Sequence, residues 1–92
     1  MDKPNKPKRI LYLTLKKQWF DLIKSGEKRI EYRKVKPYWT KRLLDKDGII
    51  RDWDEIHFRN GYGHDAPLVK TEWWGMIEWE GNYEILIGDI IG

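Results

Sequence analysis

Lys28, Glu31 and Arg33 stand in the stretch "SGEKRIEYRKVKPYWTKRL", residues 25–43, where three arginines and four lysines accompany two carboxylates and three large aromatics. On a strand, alternate residues share a face, so Arg29, Glu31 and Arg33 form a plus-minus-plus row. Two chemistries fit such a row. As an exposed cross-strand ladder it contributes about 1 kcal/mol or less. As a site, Lys28 and Arg33 attract a phosphate or carbonyl oxygen while Glu31, held between cations, accepts a hydrogen bond from a base edge. Pro37, Tyr38 and Trp39 follow with π-faces, and Lys41 and Arg42 fall in the same short helix. Cations mixed with aromatics are the composition that single-stranded nucleic acid favours. Tyr38 and Trp39 are equally suited to a core, and the expectation is one buried ring and one free to stack.

A second stretch, "FRNGYG", residues 58–63, reads in two ways. It is a hairpin turn, since Asn-Gly is a common turn dipeptide, or a ligand loop. In the loop reading Arg59 and Asn60 donate hydrogen bonds, Tyr62 offers a ring, and the glycines let a ligand approach the backbone.

Other chemistries find little support. The glycines at 61 and 63 lack the following helix and lysine of a phosphate-binding loop. His57 and His64 have no cysteine partners, so neither a metal site nor any other cofactor is expected. Ser25, the sole serine, falls at a helix end, a poor place for a Ser-His-Asp nucleophile.

The elements that must position these residues follow from periodicity. "ILYLTL", Ile10 to Leu15, is β-rich. It leads into "KKQWFDLIKSG", where Leu15, Trp19, Leu22 and Ile23 fall on one helical stripe and Gly26 sits where a helix end wants positive φ. "KRIEYRK" alternates, with Ile30 and Tyr32 expected inward and Arg29, Glu31 and Arg33 outward. Pro37 opens a short helix through Leu44, and Asp47-Gly48 marks a turn in "DKDGIIRDWD". A strand with Ile56 and Phe58 inward precedes "FRNGYG". The later strand "TEWWGMIEW" places Trp73, Ile77 and Trp79 on one face, with Gly75 marking a bulge. "NYEILIGDI" is apolar enough for burial on both faces over Ile85 to Ile87. Five strands and two helices in so short a chain suggest a small, strongly curved sheet or barrel.

Ninety-two residues, six tryptophans and five tyrosines among them, make one domain with a modest core. Residues 1–8, with two prolines and three lysines, read as a flexible basic arm, and residues 9–92 as the domain. The absence of cysteine fits a reducing compartment, and with no apolar leader or span the expected location is cytoplasmic, off the membrane, as a monomer. Charge is asymmetric: residues 1–42 carry 14 Lys+Arg against 4 Asp+Glu, and residues 43–92 carry 4 against 11. The halves either neutralise each other across one surface or form a basic face for phosphates with an acidic back.

"LTLKKQWFDLIKSGEKRIEYRKVKPYWTKRL" followed by "DEIHFRNGYG" resembles the ASCH domain (activating signal cointegrator homology), a branch of the PUA-like superfamily, over Leu11 to about Ile77. The specific core is a G-x-K-x-x-E-x-R pattern met by Gly26, Lys28, Glu31 and Arg33. The resemblance implies an α+β fold: a small PUA-like β-barrel of five or six strands flanked by two or three helices. It also implies a cleft lined by the motif residues and binding of RNA or a modified nucleoside or nucleotide. Carried over by position, Lys28, Glu31 and Arg33 line the cleft, with Arg59 and Asn60 on its opposite wall.

Some members of that family resemble amidohydrolases acting on N4-acetylcytidine, in which a threonine three positions after the motif lysine is the nucleophile. Glu31 occupies that position here, so the hydroxyl mechanism does not transfer. A carboxylate acting as general base on water, with Lys28 stabilising the oxyanion, is the version these residues allow; Glu72 and Glu78 are candidates for the later glutamate of that branch. Other members are similar to nucleases. In that case Lys28 and Arg33 would stabilise charge at phosphorus and Glu31 would activate a 2′-hydroxyl.

Overall fold

The computed structural model describes residues 7–92. Five strands and two helices alternate as β1 (Ile10–Leu15), α1 (Lys17–Lys24), β2 (Ile30–Lys34), α2 (Pro37–Leu43), β3 (Glu55–Asn60), β4 (Leu68–Trp79) and β5 (Asn82–Ile90). The strands form one mixed sheet in the order β1-β3-β4-β5-β2. β1 runs parallel to β3 and every other pair is antiparallel. The sheet curls into a half-barrel, the small PUA-like α+β architecture expected from the sequence.

Placing β1 and β2 at opposite edges of a strongly curled sheet brings those edges back toward each other. Between them the barrel is not closed by backbone pairing; the Arg33 guanidinium donates across the gap to the Thr14 carbonyl oxygen at 3.3 Å. The concave side is filled by Leu11, Leu13, Leu15, Ile56, Phe58, Val69, Met76, Tyr83, Ile85 and Ile87 from the strands, and by Phe20, Ile23 and Leu43 from the helices. Tyr83 is fully buried, and its hydroxyl shares a 2.6 Å hydrogen bond with Thr40, fixing α2 to β5.

Helix boundaries follow local chemistry. Pro37 starts α2 where its missing N–H has no role. α1 ends at Gly26 with φ of 88°, a left-handed position that favours glycine. Gly48, at φ 79°, closes the turn in which Leu44 bridges Ile50.

Four facings differ from expectation. On β2 the buried side chain is Glu31, with Arg33 half-buried beside it, while Tyr32 is half exposed on the outer face. On α1 the core residues are Phe20 and Ile23, and Trp19 is exposed. Leu15 belongs to β1, so the helix starts later and its apolar stripe turns away from Trp19. On β4 the bulge at Gly75, φ 118°, shifts the register between Trp73 and Met76. That extra residue inverts the alternation, so Trp73 packs on the core while Ile77 and Trp79 face outward. On β5, Ile85 and Ile87 are buried and Leu86 between them is only partly covered.

Residues 1–6 of the expected arm lie outside the described residues. Lys8, the arm's last residue, pairs with Glu55 at 2.5 Å, and the Arg9 amide donates to the Asp54 carboxylate at 2.7 Å. Among the described residues no helix is long and apolar enough to cross a membrane, and no group of His, Asp and Glu is placed to hold a metal ion.

Candidate nucleic-acid interface

The gap between the two sheet edges is a cleft of about 370 Å³. It is lined by the end of β1 and its exit (Thr14, Leu15, Lys16), by Trp19 of α1, by β2 (Glu31 to Lys34), and by Lys36 and Trp39 at the start of α2. Its floor is Glu31 and Arg33 of the motif. Glu31 is buried, with Arg33 Nη2 2.7 Å from Oε2 and Lys28 Nζ 3.5 Å from Oε1. A carboxylate removed from water in this way needs both charge and hydrogen-bond compensation, and the two cations supply it. Two members of the row that an exposed ladder would leave in solvent, Glu31 and Arg33, are instead turned inward at the open seam of the half-barrel, while Arg29 stays exposed beside Asp89 and Trp74.

Lys28 is held by more than Glu31. Its ammonium donates to the Ile30 carbonyl at 2.6 Å and lies 5.2 Å from the Tyr32 ring centroid and 5.6 Å from that of Trp19. Arg33 stacks 4.7 Å from the Trp39 centroid. The lysines at 16, 34 and 36 complete the rim and are all exposed.

The β2 backbone also contributes to the cleft wall. Arg29 O accepts from the Ile87 amide and the Val35 amide donates to Gly81 O, both at 2.9 Å. Odd-numbered residues of β2 therefore pair with β5, which turns the peptide groups of Ile30, Tyr32 and Lys34 toward the gap.

Of the residues singled out from sequence, Glu31, Arg33 and Trp39 line the cleft, and Lys28 reaches it only through Glu31, lining with Ile23, Gly26 and Arg29 a small hollow behind it. Tyr38 is exposed next to Trp39, its ring edge-on at 4.9 Å, and Arg42 lies over both rings. Trp39 is the partly buried member of the aromatic pair and packs on the core. Arg59, Asn60 and Tyr62 are not among the residues lining the cleft. Asn60 pairs in register with Leu15 at the end of β3. Arg59 points its guanidinium at the carbonyls of Gly63 and His64, at 3.5 and 3.3 Å, and Tyr62 is almost fully exposed in the β3–β4 loop. The sequence reading overlooked Lys16, Trp19, Lys34 and Lys36. Lys16 follows β1 directly, and a basic residue at a strand-to-helix junction was the available signal.

A larger hollow of about 590 Å³ lies elsewhere, lined by Lys8, Arg9, Asp52, Asp54, Glu55 and Glu72. Its best-buried charge is already matched: Glu55 takes the Lys8 ammonium on one oxygen and His57 Nε2 at 2.9 Å on the other. The Lys8 hydrogen bond, then that from His57, holds the Glu55 carboxyl below its ordinary range, and the same contact raises Lys8. It contains no motif residue.

Among curated proteins none matches the chain. A family model for the ASCH domain matches residues 13–73, well over half of the chain and spanning the motif, the cleft and strands β2 to β3. On that match, together with the half-barrel fold, the chain belongs to the ASCH domain family of the PUA-like superfamily.

Proposed function

We propose that this ASCH module binds RNA or a nucleotide in the cleft between β1 and β2. The observation that carries the reading is the buried Glu31 clamped between Lys28 and Arg33 at the floor of a cleft rimmed by three exposed lysines. Glu31 orients the two cations, and they meet phosphate or carbonyl oxygens of the ligand. The Oε1 atom, with Lys28 as far as 3.5 Å away, retains capacity to accept from a base edge. The Trp19 side chain at the cleft edge supplies an apolar face for a base. The lysine rim adds attraction without sequence preference.

A hydrolase working in the same cleft is the second reading, favoured by the adjacency of Lys28 and Glu31. In it Glu31 takes a proton from water, or from a 2′-hydroxyl, and Lys28 stabilises the developing oxyanion. Substrates would be a modified nucleoside such as N4-acetylcytidine, or RNA itself.

One paired assay separates the two. Wild-type protein and Lys28→Ala and Glu31→Gln variants are titrated with labelled single-stranded RNA over a range of salt, and in parallel incubated with RNA and with N4-acetylcytidine while products are followed by mass. The binding reading expects affinity that falls with salt by a log–log slope of about −0.7 per phosphate engaged, weakened by Lys28→Ala, and no product. Product formation abolished by Glu31→Gln with binding kept would make the protein an enzyme. RNA retention indifferent to both salt and Lys28→Ala would overturn the cleft assignment.

A further inference from the structure

Arg42 follows the motif and lies outside the cleft. It sits in the corner of two nearly perpendicular rings, 5.5 Å from the Tyr38 centroid and 5.8 Å from that of Trp39, the rings themselves crossing at 87°. Its Nε is buried and has no hydrogen-bond partner. Among the described residues it forms no ion pair, whereas Lys28 and Arg33 share Glu31, and Arg29 has Asp89. Asp45, the nearest carboxylate along the chain, is turned to the amides of Asp47 and Ile49.

Ring faces offset only part of the cost of taking a guanidinium partly out of water, about 0.5–2 kcal/mol per contact. Packing therefore accounts for its stem and Nε but not for its charge. The terminal nitrogens are the part left to meet something from outside, and what suits them is an anion. Two further cations belong to the same region of the chain: Lys41 is exposed on the same helix, and Arg51 donates to the Lys41 carbonyl at 3.3 Å.

Trp39 connects this corner to the cleft. Its ring lines the cleft and carries Arg33 at 4.7 Å, and it also forms one wall of the Arg42 corner. The cleft, at about 370 Å³, lies near the lower end of ligand sites, which run from about 300 to 1,000 Å³, and so holds about one nucleotide. The chain of a longer ligand must leave it, and the Trp39 side leads straight onto Arg42 and the exposed ring of Tyr38.

We propose that Arg42 and Tyr38 form a second subsite, in which Arg42 holds the phosphate and Tyr38 stacks the base of the nucleotide next to the one in the cleft. The ligand of this protein is then a single-stranded RNA chain and not a free nucleoside. This rests on the nucleotide-binding reading of the cleft and extends it by one residue of the ligand.

The test compares cytidine 5′-monophosphate with a labelled six-nucleotide RNA on wild-type protein, Arg42→Ala and Tyr38→Ala, with Arg42→Lys as the charge-keeping variant. Tyr38 is mostly exposed, so its truncation leaves the fold in place. Expected is a loss of about tenfold in hexanucleotide affinity for Arg42→Ala and for Tyr38→Ala. In Arg42→Ala the salt slope also drops by about 0.7, Arg42→Lys falls between, and the monophosphate binds all four alike within about twofold. A hexanucleotide bound equally by wild type, Arg42→Ala and Tyr38→Ala overturns the subsite alone. So does an equal loss for both ligands, which would make Arg42 a support of the cleft. Failure of the wild type to bind either ligand removes the cleft reading and the subsite with it.

Discussion

Glu31 and Arg33 lie on the same face of β2 with their charged groups 2.7 Å apart, both largely withdrawn from water, at the seam where the half-barrel fails to close. A pair of this kind behaves differently from a surface ladder. Truncating one partner strands the other charge, which costs about 3–5 kcal/mol for fully buried pairs, against about 1 or less for an exposed pair. Glu31→Ala is expected to destabilise the protein by roughly 3 kcal/mol in urea unfolding, with the slope of the transition unchanged. A loss under about 1 kcal/mol would return the row to the surface.

The sequence made the order and type of every element legible, because proline, glycine and the change from period 2 to period 3.6 fall at the element ends. It misjudged which side of β2 faces inward. Alternation separates Ile30 and Tyr32 from Glu31 and Arg33, but only the apolar-inside assumption assigns the faces, and that assumption fails where a sheet stays open. Trp19 was misread for a related reason: one residue's uncertainty in the start of α1 rotates the stripe by about 100°. The motif residues were recognisable, whereas the lysines at 16, 34 and 36 gather only because curvature brings β1 back to β2.

Acid should loosen the anchor at the other end of the molecule. The Glu55 carboxyl lies below its ordinary value of 4.5 because it accepts hydrogen bonds from Lys8 and His57. A depressed carboxyl contributes stability that is present above its unfolded value and is lost as pH falls through its folded value. The melting temperature of the wild type should therefore decline from about pH 5 downward more steeply than that of Glu55→Gln, which lacks the titrating group. Parallel curves for the two proteins would show that Glu55 contributes nothing to acid sensitivity.

Gly88 on β5 is buried beneath the Trp74 indole, which also donates to Glu72 at 2.9 Å and carries Arg29 5.3 Å from its centroid. A Cβ at position 88 would run into that indole and into the Glu72 Cβ. The indole can swing away, but a Cβ of the neighbouring strand cannot. Gly88→Ala is expected to cost about 1–3 kcal/mol and to shift tryptophan emission toward the red as Trp74 moves into solvent. Unchanged stability and emission would mean that the strand yields without displacing the ring.

Arg33 makes three contacts that no other residue type reproduces together: a 2.7 Å ion pair to Glu31, a hydrogen bond across the seam to Thr14, and a face on Trp39. Nη2 makes both polar contacts; a lysine keeps the charge, but its ammonium sits one atom closer to the backbone and lacks the flat stack on Trp39. Arg33→Lys should therefore retain much of the ion pair while releasing the seam. The amides by which β1 and β2 pair with β3 and β5 should exchange faster by about tenfold, with those between β4 and β5 unaffected. If β1 and β2 keep their protection in Arg33→Lys, the edges are held together by the helices packed beneath them, and Arg33 does not hold the seam.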